Sequence, residues 1–121
     1  MKTCLIVDDS KVIRMVARKI LEELDFQVLE AADGQLAVDE CLKQMPDAIL
    51  LDWNMPVMTG IDFLKELRGM HGGDEPVVVF CTTETSIDHI QQAMSAGANE
   101  YIMKPFDSDI LQNKFQQVGL I

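Results

Sequence analysis

Cationic residues are scarce in this chain: ten lysines and arginines stand against twenty aspartates and glutamates, a formal charge of −10 over 121 residues. Such a chain repels a phosphate backbone, so neither nucleic acid nor an anionic membrane is expected as a direct partner. Cysteine is scarce too. Cys4, Cys41 and Cys81 are odd in number, lack metal-ligand spacing and sit inside apolar segments. They read as small core residues of a reducing compartment. No apolar run approaches the ~20 residues of a membrane span. The opening "MKTCLIVDDS" has too short an apolar run for a secretory signal. The expectation is a soluble cytoplasmic protein. Repeats, linkers and low-complexity segments are missing as well, and the length suits one domain, taken as 1–121.

What is present is alternation. Short apolar runs occur at "TCLIVD" (3–8), "FQVLEA" (26–31), "DAILLD" (47–52), "PVVVFCT" (76–82) and "NEYIM" (99–103). Several are nearly continuous in Val, Ile and Leu, the pattern of parallel strands covered on both faces. Helical stripes lie between them. Val12, Ile13, Val16, Ala17, Ile20, Leu21 and Leu24 form the first; Leu36, Ala37, Cys41 and Leu42 the second; Ile61, Leu64 and Leu67 the third. Ile87, Ile90 and Met94 form the fourth, and Ile110, Leu111, Phe115 and Val118 the fifth. Met15, Met94 and Met103 fall within apolar patterns and read as core, while Met55 and Met58 read as loop packing. Ser10 and Asp107 are expected caps, Thr85 with Asp88 resembles a capping box, and Gly72–Gly73 and Gly97 mark helix ends.

Five βα units in strict alternation define an α/β fold, a doubly wound (βα)5 domain with helices on both faces of a parallel sheet. Right-handed crossovers suggest the flavodoxin-like strand order 2-1-3-4-5, an order partly borrowed from folds already known to have it. Its switch point lies between strands 1 and 3, and ligands bind beyond the carboxyl ends of strands there. Strand 1 ends in Asp8–Asp9 and strand 3 in Asp52, so three carboxylates are expected in one crevice. Two unit charges ~4 Å apart at an effective dielectric of ~20 repel by roughly 4 kcal/mol. Proton uptake or a divalent cation relieves that, and oxygen-only ligands favour Mg²⁺. The bland alternative is that Asp8 and Asp9 solvate a strand end and start a helix. Strand 4 ends in Thr82 and strand 5 in Lys104–Pro105, a hydroxyl and an ammonium able to hold phosphoryl oxygens on the same rim.

Taken together, "CLIVDDS", "ILLDWNMPVMTG", "CTTE" and "YIMKPF" resemble the response-regulator receiver domain over the whole chain. "DWNMP" and "KPF" are most similar to its stand-alone chemotaxis-type members. The resemblance implies that Asp52 is the phosphoacceptor. It implies that Asp9 ligates Mg²⁺ directly, Asp8 through water and Asn54 through its backbone carbonyl. Thr82 and Lys104 would bind phosphoryl oxygens, Tyr101 would couple its rotamer to Thr82, and the Lys104–Pro105 bond would be cis, so Pro105 is the expected cis-proline. Asn54, Thr83 and Glu84 would set the lifetime of the phosphoryl group. Thr83 departs from the small residue usual after the hydroxyl and narrows access.

The implied function is a stand-alone regulator of a two-component phosphorelay. It is a monomer that takes a phosphoryl group from a histidine kinase and catalyses only its own phosphorylation and dephosphorylation. A downstream protein would bind through the fourth helix, fifth strand and fifth helix, carrying Ile90, Met94, Tyr101 and Phe106. With no output domain expected after residue 121, the output is a protein contact or a phosphate transfer. Other readings are a relay intermediate or phosphate sink, and a partner-binding receiver indifferent to phosphorylation. An aspartyl-phosphate phosphatase of the haloacid dehalogenase type needs an acid where Asn54 stands. A flavodoxin-like FMN carrier needs a phosphate loop where "DDSKV" is acidic. His71 and His89 read as surface residues, and Glu22, Glu23, Glu30 and Glu40 as a solvated acidic face.

Overall fold

The computed structural model describes residues 1–83 and 86–121. Its elements run β1 (Thr3–Val7), α1 (Lys11–Glu23), β2 (Gln27–Ala31), α2 (Gly34–Lys43), β3 (Ala48–Asp52), α3 (Gly60–Arg68), β4 (Val77–Thr82), α4 (Ile87–Ser95), β5 (Glu100–Met103) and α5 (Ser108–Gln117). The strands form one parallel sheet of order β2-β1-β3-β4-β5, as the alternation and handedness anticipate.

Successive strand residues point to opposite faces, and each face has its own core. Leu5, Val7, Ile49, Leu51, Val78 and Phe80 join Val38 of α2, Phe63 and Leu64 of α3 and Ala93 of α4. Cys4, Ile6, Leu50, Val79, Cys81 and Ile102 join Ala17 and Leu21 of α1 and Leu111 and Phe115 of α5. Both faces being apolar is why the strands read as unbroken aliphatic runs. The three cysteines are buried free thiols. Burial pushes Cys4 up to about 12 and Cys41 up to about 11, which suppresses the thiolate and leaves them as packing groups.

The register sets the rim. Val7 pairs with Leu51, Asp52 with Cys81 and Thr82 with Met103. The carboxyl ends of β1, β3, β4 and β5 therefore finish within two residues of one another. Each following helix starts on a side-chain cap: Ser10, Asp33, Thr59, Ser86 and Asp107 each accept from the amide three residues on. The cap of α4 is thus Ser86; Thr85 lies outside the described residues. Helix α3 stops at Arg68 with Gly69 as its cap, short of Gly72–Gly73.

The stripes are narrower than their apolar spacing suggests. In α1, Ala17, Ile20 and Leu21 are buried, whereas Val12, Met15 and Val16 are exposed. One residue is about 100° of helix rotation, so Val16 sits a quarter turn from Ala17 and misses the sheet. Leu36, Leu42, Ile87, Met94 and Ile110 are exposed for the same reason. Met15 and Met94 are therefore not core residues.

The loop after β3 is drawn tight. The Met58 amide donates to the Pro56 carbonyl at 2.7 Å, and Val57 between them has φ 70°, a left-handed conformation costly for a β-branched residue. Gly60 is obligatory here. A side chain would run into the Asp52 carbonyl and the Phe80 ring.

Candidate functional site

The rim brings together the charged groups named from the sequence. Asp8 lies one residue past β1 and is 3% exposed; Asp52 ends β3 and is 7% exposed. Asp9 is exposed. One carboxylate oxygen from each of the three lies within 4.8 Å of the others. Asp8 is fixed on both sides: its amide donates to the Ala31 carbonyl at 3.1 Å, and its Oδ1 accepts from the Ser10 amide at 2.9 Å.

Lys104 answers these charges. Its Nζ donates to Asp8 Oδ2 and to Asp52 Oδ1, each at 2.8 Å. Its amide donates to the Thr82 carbonyl at 3.0 Å, and the Lys104–Pro105 peptide is cis. For Lys104, burial pulls the ammonium down, but the bonds to Asp52 and Asp8 outweigh it and the net shift is upward. For Asp52, burial pushes the carboxyl up, the Lys104 hydrogen bond pulls it down, and Asp8 pushes it up again, leaving it raised. The opposed fortunes of the partners follow from counting. One ammonium gains two carboxylates, whereas Asp52 shares that ammonium and faces two like charges.

Three carboxylates and one lysine leave two negative charges uncompensated. All the free donors are oxygens, the set a hard divalent cation takes. The residues present therefore fit Mg²⁺. Asn54 is exposed two residues beyond Asp52.

Thr82 ends β4 and is buried. Thr83 beside it is exposed, and Glu84 lies outside the described residues. Tyr101 in β5 pairs with Phe80 and packs half-buried against the α2–α3–α4 core. The Lys114 Nζ lies 5.2 Å from the centre of its ring.

Two groups depart from the sequence expectation. His89 is not a free surface residue. Its ring stacks on Trp53, centroids 3.3 Å apart at 29°, and its Nε2 lies 3.3 Å from Thr82 Oγ1. The signal was its spacing, because His89 stands four residues before Ala93, on the inward side of α4. Glu30 is not simply solvated either. It accepts from Arg14 at 2.9 Å and Arg18 at 2.6 Å, and Arg14 Nη1 also donates to the Asp8 carbonyl at 2.8 Å. Burial pushes the Glu30 carboxyl up, yet the two guanidiniums outweigh it and hold it low.

Fold and rim together define a doubly wound α/β domain with a lysine-bridged carboxylate cluster at its switch point. Comparison with known proteins places that class more narrowly. The family model of the response regulator receiver domain matches residues 4–116, and the chain belongs to that family. It is 36% identical over 115 residues to the chemotaxis protein CheY of Pseudomonas aeruginosa, covering 94% of this chain and 93% of that one. The solved structure of the chemotaxis response regulator CheY4 of Vibrio cholerae superposes with a TM-score of 0.93 at 36% identity, over 98% of both chains. The receiver domain of the sensor histidine kinase PA1611 of Pseudomonas aeruginosa superposes at 0.88 with 31% identity, over 98% of both chains. Its structure has a magnesium ion coordinated in the active-site cleft. Receiver domains of this kind are phosphoacceptors in two-component signalling. No helix among the described residues is long and apolar enough to cross a membrane.

Proposed function

We propose that the chain is a response-regulator receiver whose Asp52 accepts a phosphoryl group from the phosphohistidine of a histidine kinase. The observation that carries this is the buried Asp52 carboxylate at the end of β3, bridged by Lys104 to Asp8 with Asp9 alongside. An Asp52 oxygen attacks phosphorus in line, the P–N bond to the donor histidine breaks, and the histidine leaves with that electron pair. Lys104 follows the charge from carboxylate to phosphoryl oxygen, and Thr82 donates its hydroxyl proton to another phosphoryl oxygen. Asp8, Asp9, Asp52 and the Asn54 carbonyl would hold Mg²⁺. When bound, it supplies positive charge against the phosphoryl oxygens and the crowded carboxylates.

Water later cleaves the acyl phosphate and resets Asp52. The protein turns over no other substrate. Asn54, Thr83 and Glu84 set how long the phosphoryl group lasts. Thr82 and Tyr101 pass the change to the surface of α4, β5 and α5, where Ile90, Met94, Tyr101 and Phe106 meet a downstream protein. The protein works as a cytoplasmic monomer, and the chemotaxis names of its relatives support a chemotaxis-type output. A relay intermediate or phosphate sink uses the same chemistry with a different recipient. Asn54 stands against a phosphatase of the haloacid dehalogenase type, since an amide cannot exchange a proton as that mechanism requires.

Incubation with a small phosphodonor and Mg²⁺ should add one acid-labile phosphate to the wild type and none to Asp52→Ala. Calorimetry should register Mg²⁺ binding by both, weaker in Asp52→Ala. An acid-stable phosphate, or equal labelling of the two proteins, would sink the mechanism.

A further inference from the structure

We propose that His89 is a positioning residue that holds the Thr82 hydroxyl in the resting protein, so that recruiting Thr82 to a phosphoryl group requires breaking the Thr82–His89 hydrogen bond. The inference rests on the phosphoacceptor reading above and adds a regulator to it.

His89 is located by three contacts, one through its backbone and two through its ring. Its amide donates to the Ser86 cap at 3.2 Å, which fixes the first turn of α4. Its ring lies flat on Trp53. Its Nε2 meets Thr82 Oγ1 at 3.3 Å. Trp53 is anchored in turn, because its amide donates to the Cys81 carbonyl at 3.2 Å, its carbonyl accepts from Gly60 at 3.0 Å, and its ring packs on Phe80, centroids 4.9 Å apart. The ring of His89 is thus held in place, and Thr82 is the partner that has to move.

The competition is stoichiometric. A hydroxyl has one proton to donate, and a phosphoryl oxygen can only accept. Where Nε2 is the acceptor, the two claims on that proton exclude one another. Where Nε2 is the donor, the imidazole still tethers the oxygen. At 3.3 Å the bond is already near the limit for a hydrogen bond, and turning Oγ1 toward Asp52 on the neighbouring strand breaks it. His89 therefore biases the resting arrangement. Loss of its nitrogen should ease the transition by about one net hydrogen bond, or about fivefold in affinity for a phosphoryl mimic.

The test uses beryllium fluoride with Mg²⁺, a mimic of the phosphoryl group on a carboxylate, titrated by calorimetry. His89→Phe keeps an aromatic ring on Trp53 and removes the nitrogen; it should bind beryllium fluoride about fivefold tighter than wild type. His89→Leu should share the gain. Mg²⁺ alone should bind all three equally, a readout that a general loosening of the rim would change. In a Thr82→Val background, His89→Phe should add nothing. A His89→Phe affinity equal to or weaker than wild type, or the same gain with Thr82 gone, overturns the proposal. If the wild type itself binds no beryllium fluoride, the phosphoacceptor reading fails and this proposal falls with it. Wild-type binding without a difference in the variants defeats this proposal alone.

Discussion

Helices α3 and α4 have nine residues each, start on hydroxyl caps and cover the same face of the sheet. Helix α3 buries Gly60, Ile61, Phe63, Leu64 and Leu67. Among the described residues, α4 buries Ala93 alone, and the apolar Ile87 and Met94 face solvent. What α4 has instead is a polar tie, His89 to Thr82, and a stack on Trp53. Apolar burial is non-directional and lost all at once, whereas a hydrogen bond can be exchanged for another partner at small net change. The sheet therefore has one helix that anchors the loop after Asp52 by apolar burial and another, behind Thr82, that loses its polar tie once Thr82 turns away. Elements that move in switching come from the weakly held end of the stability range.

The sharpest way to break this comparison is to empty both helices. Phe63 is fully buried, and Phe63→Ala should cost about 3–5 kcal/mol in denaturant unfolding. Met94→Ala should cost under about 1 kcal/mol, because Met94 is 40% exposed and lies outside the closed core. Equal losses would mean that α4 is as firmly seated as α3.

Lys104 tests the other side of the divide. It holds Asp8 and Asp52 from just past the end of β5 without belonging to either helix. Lys104→Ala leaves two buried carboxylates unpaired and should cost about 3 kcal/mol near neutral pH without divalent cations. The pH dependence follows from the two shifts. Lys104 is raised by its carboxylates, so its contribution is whole below the ordinary lysine value and disappears as pH rises through its higher folded value. Asp52 is raised by burial, so the folded protein is favoured below the ordinary carboxylate value and loses that as pH rises through the folded one. Without the ammonium Asp52 should climb further. The gap between variant and wild type should be widest near neutrality and close toward acid and toward strong alkali. Urea unfolding across pH measures it; a flat gap would mean that Lys104 acts by packing alone.

The strands and their order were legible because a parallel sheet covered on both faces leaves an unmistakable aliphatic run, and each run ended within a residue or so of its observed end. Gathering Asp8, Asp9, Asp52 and Lys104 followed from that order. The lateral positions were not legible. Val12, Met15 and Val16 share apolar character with Ala17 and Ile20, but only rotation about the helix decides which meet the sheet. The sequence does not mark His89 and Glu30 as partnered, because a polar side chain that is tied down looks like a solvated one until its partners, Thr82 and Trp53 or Arg14 and Arg18, are placed across other elements.

The smallest expected effect probes α4 most directly. Ile87 opens the helix and is 72% exposed, so Ile87→Ser removes little buried surface. It should change global stability by no more than about 0.5 kcal/mol. Native-state amide exchange then separates the helices. The amides of α3 should exchange only with global unfolding, since Phe63, Leu64 and Leu67 cannot leave the core without it. Those of α4 should open at lower free energy, because Ala93 is the one buried side chain that has to come away. Ile87→Ser should leave the α3 rates where they are. A loss above about 1 kcal/mol, or α4 amides as protected as those of α3, would mean that α4 is held by more than His89 and Ala93, and that breaking the Thr82–His89 bond does little to release it.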